Sequence, residues 1–129
     1  MKKLSIVLFG LLLMTVTNAY SASLKDVKTS CDLQLRTKSF RALQTIRTYE
    51  TYIATLEDVE GNPFLIATAK EIKSEFEKFR EVCETFFNKE FKSKQDIRDI
   101  CAQLLDVYEK LEYRDLAFLK RLTDYLYSL

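Results

Sequence analysis

The 129-residue chain has no histidine and no tryptophan, two glycines, one proline and three cysteines. Each shortage removes a class of chemistry. Without an imidazole there is no Ser-His-Asp or Cys-His nucleophile system. There is likewise no histidine-ligated zinc and no Cys-x-x-Cys-His haem attachment. Cys31, Cys83 and Cys101 stand far apart in the chain, so no Cys-x-x-Cys redox motif exists. Gly10 and Gly61 are isolated, which leaves no glycine-rich loop to cradle a phosphate. An excess of one charge is also missing, with 20 Lys and Arg against 19 Asp and Glu. A global attraction to nucleic acid or to an anionic membrane is therefore not supported. No cofactor is implied.

What is present begins with Met1-Lys2-Lys3 and an almost unbroken apolar run from Leu4 to Val16, followed by Thr17-Asn18-Ala19-Tyr20-Ser21-Ala22. A basic start, a short apolar stretch and small residues at the exit are the parts of a secretory signal peptide. The run is about 13 residues, short of the ~20 that span a bilayer. We expect residues 1–19 to be the leader, cleaved after Ala19 or as late as Ala22, with residues 20–129 forming one domain. No stable membrane insertion is expected after cleavage. No Leu-x-x-Cys stands at the junction, so a lipoprotein is not expected. Removing Lys2 and Lys3 lowers the 20 basic residues to 18, against 19 acidic. The expected address of the mature chain is the bacterial periplasm or the cell exterior.

Leu65, Ala69, Ile72, Phe76, Phe79, Cys83 and Phe86 recur at alternating steps of four and three. That period lays all seven on one stripe of an α-helix and fits no strand. A stripe so rich in phenylalanine is stable only if apolar surface covers it. Before it, Glu60-Gly61-Asn62-Pro63-Phe64 holds the mature chain's only glycine and proline. Gly61 suits the left-handed position that ends a helix, Asn62 an N-cap and Pro63 the first helical turn. The first helix is expected over about residues 24–60, opened by Ser23-Leu24-Lys25-Asp26, which resembles a capping box. Its seam is Leu35, Ser39, Ala42, Ile46, Tyr49, Ile53 and Leu56. A third helix is expected over about residues 94–127 behind a Ser93 cap. Its seam is Ile97, Cys101, Leu104, Tyr108, Leu111, Phe118, Leu122 and Tyr125, interrupted by Asp115. The fold expectation is all-α: a small up-down-up three-helix bundle with coiled-coil-like seams. The alternative is a four-helix bundle in which the first helix breaks near Ser39.

Glu71 and Glu75, and Glu77 and Glu81, are spaced as carboxylate pairs one helical turn apart. With Lys70, Lys73, Lys78 and Arg80 interleaved, they read as a solvated face rather than a glycosidase dyad. Phe76, Phe79, Phe86, Phe118, Tyr49 and Tyr108 fall at seam spacing and read as core rather than as a ligand pocket. Two surfaces are candidates for a protein partner. One is the acid-free basic run of Arg36, Lys38, Arg41 and Arg47. The other is the tail bearing Leu122, Tyr125, Leu126, Tyr127 and Leu129, expected to overhang the Gly61 turn.

An oxidising compartment makes a disulfide the expectation for the cysteines. Counted outward from the second turn, Cys83 and Cys101 lie at one height and face inward. Counted from the Gly61 turn, Cys31 falls near Lys92, roughly 13 Å of helical rise from Cys101. The expected bond is Cys83–Cys101, with Cys31 unpaired and buried or bonded to another chain. If the first helix breaks at Ser39, Cys31 can reach either partner.

Function is expected to be non-enzymatic: an exported helical protein that binds a protein partner as an inhibitor, immunity-type antagonist, chaperone or assembly accessory. The alternative is a structural or secretion-system component that self-associates, in the simplest case as a homodimer.

Overall fold

The computed structural model describes residues 22–129. The expected leader, residues 1–19, lies outside the described residues. Three helices follow in order: α1 (Leu24–Asp58), α2 (Pro63–Asn88) and α3 (Lys94–Tyr127). Among the described residues there is no strand. Each helix packs against both of the others, giving a three-helix bundle. No helix of the described residues is long and apolar enough to cross a membrane.

The seams inferred from spacing are the core. All seven residues of the α2 stripe are buried. Val27, Cys31, Leu35, Ala42, Ile46, Tyr49 and Leu56 of α1 cover one side of it. Ile97, Cys101, Leu104, Tyr108, Leu111, Phe118 and Leu122 of α3 cover the other. The six aromatic residues read as core are all buried. Tyr49 stacks at 5.3 Å on Phe118, and Phe79 at 5.3 Å on Tyr108, so rings join α3 to each of the other helices.

α1 runs unbroken through Ser39, so the four-helix alternative is not what forms. Ser39 is not a cap. It sits buried in mid-helix, and its hydroxyl accepts a hydrogen bond from Arg80 Nε of α2 at 3.2 Å. At the start of α1 the capping box is complete with aspartate in the usual glutamate position. Asp26 N–H donates to Ser23 Oγ at 3.0 Å, and Ser23 N–H to the Asp26 carboxylate at 3.4 Å. Ser93 caps α3, accepting from the N–H groups of Gln95 and Asp96.

The turn between α1 and α2 differs from the expectation in one respect. The left-handed residue is Glu60, at φ 51°, not Gly61. Glu60 N–H donates to the Glu57 carbonyl and Gly61 N–H to the Leu56 carbonyl, the paired bonds of a Schellman ending with Glu60 at the left-handed position. The glycine is required for a different reason. A Cβ on Gly61 would stand 3.0 Å from Leu56 Cδ2 and 3.1 Å from the Leu56 carbonyl oxygen. Asn62 then caps α2 by accepting from Phe64 N–H at 2.8 Å and Leu65 N–H at 3.3 Å, and Pro63 takes the first helical position.

This division of labour gives opposite expectations at neighbouring positions. Glu60→Gly relieves a left-handed non-glycine residue and should raise stability by about 0.5–1 kcal/mol. Gly61→Ala should lower it by roughly 1 kcal/mol, because the new methyl group presses on backbone as well as side chain. Urea midpoints of the two variants check the signs. If Gly61→Ala is the neutral change and Glu60→Gly the harmful one, the turn is not built this way.

Candidate functional site

The second interruption in the seams, Asp115, is a partner of the core rather than a gap in it. Tyr49 is fully buried, and its hydroxyl donates to Asp115 Oδ1 across the α1–α3 interface at 2.8 Å. Burial first, and then the Asp115 carboxylate, hold the Tyr49 phenol protonated well above the usual tyrosine range. Tyr108 is pushed up to about 12, chiefly by burial.

Arg114, beside Asp115, accounts for the first carboxylate pair. It reaches across to α2 and forms ion pairs with Glu71 and Glu75, Nη1 bonding Glu75 Oε1. Glu77 pairs with Lys73 at 3.1 Å. Glu71, Glu75 and Glu77 therefore each carry a basic partner. The concave surface between α1 and α2 is an open groove lined by Glu50, Ile53, Ala54, Glu57, Lys70 and Lys73. Its charges also pair with one another, Lys70 with Glu57 and Lys73 with Glu50.

The four basic residues of α1 do not make one patch. Arg36 turns toward α2 and stacks over the Phe87 ring at 4.1 Å. Arg47, three turns later, lies within about 20° of the same helical face. Lys38 turns the other way, over the Tyr108 ring of α3 at 5.3 Å, and Arg41 acts electrostatically on the same tyrosine. Two of the four guanidinium or ammonium groups are thus occupied by aromatic faces, and the set splits across the two flanks of α1.

The tail of α3 also divides. Leu122 is buried and Tyr125 is half-buried against the core, so neither is free surface. Leu126, Tyr127 and Leu129 are exposed. Arg121, just before them, lies over the Phe64 ring at 4.9 Å, which seats the tail beside the first turn of α2. Phe64 and Val59 are exposed at the same end of the bundle, as a consequence of the turn geometry that the spacing of apolar residues did not reveal.

The three cysteines are free thiols, and all are buried in one layer at the opposite end. The expected Cys83–Cys101 bond is not formed. The placement of Cys31 roughly 13 Å of rise from Cys101 also fails: the two thiols lie near enough to influence each other's ionisation, though not within bonding distance. The proximity of Cys101 lowers the Cys31 thiol from its ordinary value against the opposing effects of burial and Asp32, and the same proximity together with burial raises that of Cys101. Burial pushes Cys83 up to about 11. The miscount has a physical cause. Glu57 meets Lys70 beside the Gly61 turn, Ser39 meets Arg80 further down, and Lys28 reaches the Phe87 carbonyl at the far end. Packed helices cross rather than run side by side, so a residue count outward from the turn loses register with distance. Among the described residues no group of three or more His, Cys, Asp or Glu side chains is arranged to hold a metal ion.

Comparison with known protein families, with characterised proteins and with solved structures finds no match to this chain.

The Tyr49–Asp115 bond makes a testable pH dependence. A phenol that the fold keeps protonated above its unfolded value of about 10 contributes stability that is complete below that pH and is lost as pH rises beyond it. Tyr49→Phe should lower stability near neutral pH by about 1 kcal/mol and flatten the fall above pH ~10. Denaturant titrations of both proteins at neutral and alkaline pH read both effects. Parallel alkaline losses in the two proteins would remove Tyr49 from the account.

Proposed function

We propose that this chain is an exported, non-enzymatic helical protein that holds a protein partner against the end of the bundle at the Gly61 turn. One observation carries the reading: Val59, Phe64, Leu126, Tyr127 and Leu129 are all exposed at that end, while the interior seams are filled. Five of the eleven large apolar side chains exposed among the described residues gather at this end, the others being spread along the helices, and such a cluster is the usual mark of an interaction surface. The basic residues Arg36, Lys38, Arg41 and Arg47 take a lesser part in this reading, because they point to different flanks. The compartment is the periplasm or the cell exterior, on the strength of the basic start and short apolar run of residues 1–16. Cleavage is placed after Ala19, where Thr17 and Ala19 supply the small residues, with Ala22 the latest position. In that compartment a disulfide among the buried cysteines completes the mature form. Inhibitor, immunity-type antagonist, chaperone and assembly accessory all use such a surface in the same way, by occlusion or holding.

Substitution is the right test here, not truncation. Removing everything after Arg121 would also delete the buried Leu122 and the half-buried Tyr125. The triple change Leu126→Ser, Tyr127→Ser and Leu129→Ser touches exposed side chains only, and should leave the circular dichroism spectrum and the melting temperature within about 3 °C of the parent. Partner capture from the native envelope should be lost. If instead the parent self-associates with rising concentration and the triple variant does not, the surface serves self-assembly and the structural-component reading replaces this one. Intact mass of exported protein starting at Tyr20 checks the leader. Capture unaffected by the triple change would refute the assignment of the surface.

A further inference from the structure

The outward face of α1 is unlike that of its neighbours. Opposite the buried positions stand Leu33, Thr37, Phe40, Gln44, Thr48 and Thr51, all exposed and none charged. They follow one another at helical spacing over about 27 Å of α1. The outward faces of the other two helices carry charge throughout, with Lys70, Lys78 and Glu81 on α2 and Asp99, Asp106 and Lys110 on α3. Leu33 is 68 % exposed and Phe40 58 %, and their spacing projects both side chains from one side of the helix. The threonines add little polarity. Thr37, Thr48 and Thr51 turn their hydroxyls back onto the carbonyls of Leu33, Gln44 and Arg47, at 3.1, 3.1 and 3.4 Å. A partner approaching this face therefore meets methyl groups. Threonine is a weaker helix former than lysine or glutamate, so the stability of α1 itself gives no reason for it here.

The charges that α1 carries over this stretch border the stripe on both sides. Arg36 and Arg47 stand on the flank toward α2, and Lys38 and Arg41 on the flank toward α3. No acidic residue lies between Asp32 and Glu50. A neutral seam between two rows of one sign is the pattern by which one helix selects another of opposite flanking charge. We propose that the outward face of α1 is a second docking surface, and that its occupant is a helix of a protein partner whose apolar seam is flanked by aspartate or glutamate. Leu33 and Phe40 are the anchors, and the short threonine side chains beside them let the partner's backbone approach. The same face of a second copy does not fit, because its basic flanks would oppose these. A lipid surface fits less well, because two large apolar side chains over about five turns give little to bury in a bilayer interface. The surface is separate from the apolar end at the Gly61 turn, so either can exist without the other.

The test uses the folded chain and two fluorescent peptides of about 20 residues, each held helical by a side-chain staple. Both carry the same seam of Ala and Leu; one is flanked by Glu and the other by Lys. Anisotropy at low salt should show the Glu peptide bound at least about tenfold more tightly than the Lys peptide, with the difference shrinking at high salt. Leu33→Ser with Phe40→Ser should weaken binding of the Glu peptide by about tenfold. Arg41→Glu with Arg47→Glu should reverse the preference between the peptides. All four side chains are exposed, so circular dichroism of these variants should match the parent. The triple change Leu126→Ser, Tyr127→Ser and Leu129→Ser should leave this binding intact; if it abolishes it, the peptide sits at the bundle end and the proposal fails. Equal affinity for the two peptides, or binding indifferent to Leu33 and Phe40, would overturn it as well. So would a homodimer that Leu33→Ser with Phe40→Ser dissociates, which gives the face to a second copy, or attachment to phosphatidylglycerol vesicles in place of the Glu peptide.

Discussion

Seven side chains on one face of α2 have to be covered from two directions at once, and the rest of the molecule follows from that requirement. Burying a Leu, Ile or Phe side chain is worth about 1.5–3 kcal/mol. A stripe with three phenylalanines, a leucine and an isoleucine therefore exerts a large pull on whatever apolar surface lies nearby. The nearest surfaces are the helices immediately before and after it. Short connections deliver them: residues 59–62 on one side and 89–93 on the other. The first of these reverses the chain within four residues because the Leu56 carbonyl accepts from Gly61 while Asn62 already caps the next helix. Phe91 in the second packs on Phe86 at 5.2 Å, so even this connection contributes to the core.

Hydrophobic burial is non-directional and does not by itself fix which turns of the helices meet. The polar contacts among the helices do that. Ser39 with Arg80 sets α1 against α2, Arg114 with Glu71 and Glu75 sets α2 against α3, and Tyr49 with Asp115 sets α1 against α3. Sliding a helix by one turn would leave the buried hydroxyl of Ser39 or Tyr49 without its partner, at a cost of about 1–3 kcal/mol each, and would separate the more exposed Arg114 pairs at a smaller cost. Three such contacts, one per interface, make a slipped bundle much less stable than the native one. The two seam positions that break the apolar pattern, Ser39 and Asp115, are two of these contacts.

That correspondence explains what could be read from the chain alone and what could not. The stripes of α2 and α3, the caps at Ser23, Asn62 and Ser93, and the turn at residues 59–62 depend on local periodicity and local hydrogen bonding, and spacing in the sequence carries both. Ser39 looked like a break and Asp115 like a flaw because their partners, Arg80 and Tyr49, are distant in the chain. The same limit applied to the cysteines. The α2–α3 register, counted across a short turn, led to the expectation of a Cys83–Cys101 bond that is not formed. The α1–α2 register, carried from Gly61 to Cys31, had slipped by the time it reached the thiol layer. The partner surface was legible in part: the exposure of Leu126, Tyr127 and Leu129 followed from their distance along α3, while the burial of Leu122 depended on where α2 begins. The left-handed residue at Glu60 was hidden by the glycine next to it.

The parallel pairing of α1 and α3 has a kinetic consequence. The antiparallel interfaces on either side of α2 each begin at a short turn and can zip outward from it, with little loop entropy to overcome at any step. The α1–α3 interface has no such starting point, since Tyr49 and Asp115 are 66 positions apart in the chain. It forms only when α2 has gathered both neighbours, which makes it the last surface to close on folding and the first to part when the native state opens. Interactions made there are then largely absent from the folding transition state. They set how long the folded molecule persists rather than how fast it forms, so weakening Tyr49–Asp115 accelerates unfolding and leaves the refolding limb of a stopped-flow chevron nearly in place.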